Sequence, residues 1–136
     1  MKTVKSVLII LAVIFVSCKE KTNPVSSDVD FSYFTTSWTN SYEEETINHE
    51  TEIFRPSNYK EFPLSRYREK LTFAQDSNCS YLVLAPNDGH YFKNGKWSFE
   101  NRENNIVQIL DTSGVAYKKF QIVELKQDLL KLIVIN

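Results

Sequence analysis

The chain has 136 residues, with 17 acidic and 16 basic side chains, a formal net charge of −1, 42% hydrophobic residues and 13% aromatic ones. That is one domain's worth of chain with apolar content for a modest core, and it has no basic field to hold nucleic acid or an anionic membrane surface. Its two cysteines, Cys18 and Cys79, are too few for a disulfide framework.

Taken in chain order, Lys2 and Lys5 precede an unbroken apolar run from Val7 to Val16, and the small residue Ser17 stands directly before Cys18. A bilayer needs roughly 20 apolar residues to be spanned, so the run reads as the apolar region of a secretion signal. Phe15-Val16-Ser17-Cys18 resembles the lipobox of bacterial lipoproteins, with Phe15 where most have leucine. The resemblance implies a signal peptide over residues 1–17 and an acylated Cys18, palmitate-type chains holding the protein to the membrane. Two or more chains make such an anchor stable. Lys19 after the anchor resembles lipoproteins passed on to the outer membrane of the cell envelope. Loss of Lys2 and Lys5 takes the net charge from −1 to −3. Residues 18–36 read as lipidated cysteine and tether, polar and unpatterned from Lys19 to Asp30.

Residues 37–136 carry β-branched and aromatic residues in short runs without a period of 3.6, which favours strands. The runs are Ser37 to Tyr42, Thr51 to Phe54, Glu69 to Phe73, Ser80 to Leu84, Lys96 to Glu100, Asn105 to Leu110, Tyr117 to Leu125 and Leu129 to Ile135. Asp88-Gly89, Asn94-Gly95 and Ser113-Gly114 carry turn chemistry, placing all three glycines at turns. In the last hairpin Phe120, Ile122 and Glu124 alternate with Gln121, Val123 and Leu125, while Leu130, Leu132 and Val134 mark one face of the partner strand. Asn58 to Arg68 has no pattern, although Leu64 to Lys70 suits one helical turn. The expected fold is all-β, an antiparallel meander of about eight strands closing into a small barrel or strongly curved sheet. Such a barrel has room for its own side chains or for one small ligand.

The acidic run Glu43-Glu44-Glu45, with His49, Glu50 and Glu52, is the first place to look for a metal or an acid–base pair. Read as a strand, it puts Glu43 and Glu45 on one face and Glu44 on the other. It has neither a calcium-type loop nor a second histidine at zinc spacing, so no metal is assigned. Arg55, Arg66 and Arg68 offer planar forks that match carboxylates, and are expected to pair with Glu43 or Glu44 or to face an anionic ligand. Trp38 and Trp97 are the expected core pegs, and Cys79 reads as a small buried hydrophobe. No nucleophile–base order, phosphate loop or nucleotide signature appears, so no catalytic residue or cofactor is assigned.

Trp38, Ser41, Glu43 and Glu44, then Arg55-Pro56, then Phe62, Pro63, Ser65, Arg66 and Arg68, then Gly95 and Trp97, follow in an order similar to a group of small bacterial lipocalin-like proteins. The early Gly-x-Trp of better-known lipocalins is missing. The resemblance implies a calycin-like barrel of unassigned ligand with no catalysis. The expected function is therefore that of a non-enzymatic envelope lipoprotein binding a small or amphipathic ligand or a protein partner. Trp38, Glu43, Glu44, Arg55, Arg66, Arg68 and Trp97 are its candidate binding residues, lining or bracing the mouth. The alternative is a structural or inhibitory lipoprotein with a filled barrel that acts through its surface. A hydrolase would require two carboxylates facing one pocket.

Overall fold

The computed structural model describes residues 29–48 and 50–135. The expected signal segment 1–17, the expected lipidation site Cys18, the part of the expected tether up to residue 28 and the candidate ligand His49 lie outside the described residues.

Eight strands form: β1 (Ser37–Asn40), β2 (Glu52–Pro56), β3 (Lys70–Phe73), β4 (Asn78–Leu84), β5 (His90–Asn101), β6 (Ile106–Asp111), β7 (Ala116–Lys126) and β8 (Leu129–Val134). Every pairing is antiparallel and the sheet closes on itself, giving the all-β barrel expected from the pattern. Alternation divides each strand into an inner and an outer row. Trp38, Phe54, Leu71, Tyr81, Ile109, Phe120 and Leu132 point inward and are essentially inaccessible to solvent. Closure leaves no long sheet edge along most of the barrel.

The strand order departs from a plain meander at its start. From β3 to β8 neighbours follow in sequence, but β1 lies between β2 and β3, and β2 pairs with β8. Since β2 and β3 run in the same direction on either side of β1, their connection must travel the length of β1. Residues 57–69 do so on the outside. The Ser57 N–H donates to Ser37 O at 2.9 Å, and Arg68 Nη1 donates to Asn40 O at 2.9 Å at the other end. Thr39 points outward yet is buried, because this segment covers it and Ser57 Oγ sits 2.9 Å from its Oγ1. Leu64 to Lys70 takes no helical turn. Arg68 is held by Asn40 O and Pro63 O, which fixes an extended path instead.

Three local expectations are corrected by tertiary contacts. Asn94-Gly95 is not a turn: Gly95 lies inside β5, where a Cβ would come within 2.2 Å of Leu110 O. Only glycine allows that approach. Glu43 and Glu44 form a short 3-10 turn with Tyr42 instead of a strand. A bulge between Ile122 and Glu124 shifts the inward row of β7 to Phe120, Ile122 and Leu125, and Glu124 faces out to Lys131. Val134 does share the Leu130 and Leu132 row, paired with inward Phe120, and is part-exposed only because it ends the strand.

One end of the barrel is plugged by residues placed with the tether on sequence grounds. Asp30 caps a 3-10 turn, Phe31–Tyr33, by accepting from the Ser32 N–H at 3.0 Å. Phe34 then enters the lumen, stacks on Phe73 at 4.2 Å and meets Trp97 edge-on at 5.0 Å. Phe31 packs edge-on against Phe99 at 4.8 Å. Trp38 Nε1 donates to Phe34 O at 3.0 Å, tying the plug to β1. Val29 bridges to Leu125, so the chain enters the fold at this end.

Candidate functional site

At the opposite end the lumen turns from apolar to charged. Lys118 precedes Phe120 by two residues on β7 and pairs with Ile109, so it points inward. Glu52 precedes Phe54 by two and pairs with inward Leu132, and Glu69 precedes inward Leu71 by two. The three meet across the lumen: Lys118 Nζ lies 2.7 Å from Glu52 Oε2 and 2.6 Å from Glu69 Oε2. Its ammonium also sits 5.6 Å from the centre of the Phe54 ring, so its stem covers the apolar core. A register shift between Ile109 and Leu110 turns Tyr117 inward as well, where it stacks on Tyr81 at 3.9 Å. Tyr117 donates to Glu69 at 3.4 Å, and Tyr67 donates to Leu82 O at 2.9 Å.

Burial alone would lower the Lys118 value, but Glu69 and Glu52 outweigh it and hold the ammonium above the ordinary lysine range. Burial raises Glu52 above the ordinary glutamate value against the pull of Lys118. It also raises Tyr117, assisted by the nearby Glu69 charge. A lysine held protonated is an anchor, the reverse of the depressed amine that nucleophilic chemistry requires. The arrangement ties β7 to β2 and to the start of β3, closing the mouth with charge pairs. Two carboxylates thus do share one site, but they are Glu52 and Glu69, both engaged by Lys118.

The residues singled out by motif lie elsewhere. Glu44 receives Arg55 through two bonds of 3.1 and 2.8 Å, with Lys60 at 3.1 Å and Ser41 Oγ at 2.6 Å. Arg68 forks onto Glu43 at 3.0 and 2.5 Å and lies over the Tyr42 ring at 4.4 Å. Glu43, Glu44, Arg55 and Arg68 therefore come together on the outer flank of β1 and β2, stitching the 3-10 turn and the crossover to the barrel. Arg66 is apart from them, exposed and paired with Asp88 at 2.6 Å. Trp38 is inside the core and Trp97 is half-buried at the plugged end, with Nε1 donating to Ala74 O at 2.9 Å. They do not share a mouth with the arginines. Cys79 is buried in the barrel wall, and desolvation pushes its thiol up to about 11.

Between the crossover and the outer wall runs a groove of about 280 Å³, lined by residues including Thr39, Phe62, Arg68, Leu82 and His90. Among the described residues, no group of three or more His, Cys, Asp or Glu is arranged to hold a metal ion.

The stitched flank makes the fold acid-sensitive. Arg55 and Ser41 hold Glu44 down to about 2 from an ordinary 4.5, and Arg68 lowers Glu43. Folded values below the unfolded ones mean that this stabilisation is complete above the unfolded glutamate range. It is lost as pH falls through the folded values. Thermal melts between pH 5 and pH 2 or so should therefore fall more steeply for the native chain than for a Glu43→Gln/Glu44→Gln variant. Parallel slopes would show that the flank is not coupled to folding.

Glu52 belongs to the acidic group that the sequence offers, but its partners here, Lys118, Glu69, Tyr67 and Tyr117, were not among the candidates, and Lys118, Glu52 and Glu69 were not read as one cluster. A signal was present for these three, since each charged residue stands two positions before an inward core residue. No family model, curated protein or solved structure matches the chain.

Proposed function

We propose that the chain is an envelope lipoprotein, anchored through Cys18, whose lipocalin-like barrel is filled and acts through its outer surface on a protein partner. The observation that carries this reading is the packed lumen. Phe34, Trp38, Phe54, Tyr81 and Phe120 are each at most 1% exposed and occupy it from the plug upward, and the Lys118 tie caps them. An eight-stranded barrel is just wide enough to be filled this way. That favours the surface over an enclosed amphipathic ligand. The chain enters the barrel at the plugged end, so a tether from Cys18 would leave the mouth and the tip of the β4–β5 hairpin facing away from the bilayer.

Two experiments test this. Titrating the purified domain with a fluorescent long-chain fatty acid should give no saturable binding. Saturable one-to-one binding with quenching of tryptophan emission would restore the enclosed-ligand reading. Independently, Cys18→Ser should abolish metabolic palmitate labelling and move the protein out of the membrane fraction. Unchanged labelling in that variant would remove the anchor from the proposal.

A further inference from the structure

We propose that the free edge of β5 from His90 to Asn94 takes up an extended, acidic segment of the partner protein as an added strand. The proposal rests on the surface-acting reading and gives it a place. β5 is the longest strand, and its first part outruns its neighbour. β4 pairs with it from Leu84↔His90 to Asn78↔Lys96, whereas β6 reaches only Asp111, opposite Gly95. Beyond that point the chain turns away through Thr112 to Val115 into β7.

Hydrogen-bond parity shows what the edge offers. The Ala85 N–H donates to Gly89 O at 2.7 Å, and the Trp97 N–H donates to Ser77 O at 2.9 Å. In an antiparallel pair such bonds recur at every second residue, so the odd-numbered residues of β5 face β4 and the even-numbered ones face the other way. Along β6 the even-numbered residues find their partners. Above it the N–H and C=O groups of His90 and Phe92 meet no strand on that side among the described residues, and Asn94 stands at the boundary. All five residues from His90 to Asn94 are exposed. An unpaired row of this kind is a template for another strand.

Side chains specify the occupant. Tyr91 is 47% exposed and Phe92 54%, on opposite faces of the ribbon. Lys93 shares the Tyr91 face, and it makes no ion pair among the described residues. Asp111, at the foot of the edge, is occupied by its own turn, accepting from the Ser113 and Val115 N–H groups at 2.8 and 2.9 Å. At the same foot lies a cleft of about 360 Å³ between Asn94, Gly95, Leu110 and Gly114. An added strand whose carboxylates fall on the Lys93 face and whose apolar residues fall on the Phe92 face complements both.

The test is an NMR titration of the labelled domain with a blocked hexapeptide of alternating valine and glutamate, with the valine–lysine peptide as its counterpart. Saturable shifts and slowed amide exchange at His90 and Phe92 are expected with the acidic peptide. Lys93→Glu should weaken it about threefold and favour the basic peptide, and Phe92→Pro should abolish the response while leaving core resonances in place. No edge response at millimolar peptide overturns the proposal, as does a response indifferent to Lys93→Glu. Edge shifts that depend on protein concentration without peptide would make a second copy the occupant and also overturn it. The fatty-acid titration fails or succeeds separately, so loss of the surface reading and loss of this edge are distinguishable.

Discussion

Trp38→Ala is expected to cost about 4 kcal/mol of unfolding free energy, seen as a fall of roughly 15 °C or more in the melting temperature of a domain this size. Trp38 is fully buried and is flanked in the sheet by Pro56 on one side and Leu71 on the other. Its indole fills the lumen, and its N–H satisfies the Phe34 carbonyl. Alanine leaves both a void and an unpaired acceptor at the point where the plug meets the barrel. Trp38→Phe separates the two contributions, because it keeps most of the volume and loses the bond, at about 1–2 kcal/mol. Chemical denaturation of both variants checks this, and a cost below about 1 kcal/mol for Trp38→Ala would show that the plug is dispensable.

Lys118→Met acts at the other end. The variant retains length and apolar volume but leaves Glu52 and Glu69 facing each other without their shared cation. Breaking a buried pair from one side costs about 3 kcal/mol. Adding Glu52→Gln and Glu69→Gln to Lys118→Met should recover a large part of that loss, since the uncompensated charge is then gone. A Lys118→Met domain as stable as the native one at neutral pH would mean that the tie across the mouth contributes nothing. The comparison also separates a closing role from a chemical one, because the triple variant keeps the side-chain volume at the mouth while removing the Lys118, Glu52 and Glu69 charges.

The strands were readable from residue pattern because each is a short run of β-branched and aromatic residues bounded by turn chemistry. The run Leu129 to Ile135, for example, is realised as Leu129–Val134. Their order was readable only where consecutive strands are joined by tight turns. β1 and β2 are short, and the patternless segment between β2 and β3 carries no sign that it crosses the outside of β1. The place of Gly95 was hidden because Asn-Gly is equally good turn chemistry, and only the approach of Leu110 O reveals why glycine is needed within the strand. The bulge at Val123 has a similar origin: alternation assigns Glu124 to the wrong face unless the slip is known.

For the site, composition drew attention to the conspicuous charges. Glu43, Glu44, Arg55 and Arg68 do meet, but on the outer flank. Lys118, Glu52 and Glu69 are scattered singly through strands and only closure of the barrel brings them together. Their common position, two residues before an inward hydrophobe, would have placed them in the lumen had the inner rows been extended outward along each strand. Tyr117 would still have been missed, because its inward turn depends on the register shift after Ile109.

The central claim is that the barrel encloses its own side chains and nothing else, leaving the outer surface to act. Native mass spectrometry of the protein purified from the cells that make it measures this most directly. The expected spectrum is that of the polypeptide with no modification beyond the proposed Cys18 acyl chains and no further small molecule at stoichiometric occupancy. A retained small molecule that is released on unfolding, and is lost when Lys118 or Phe54 is replaced, would contradict the account and return the function to the lumen.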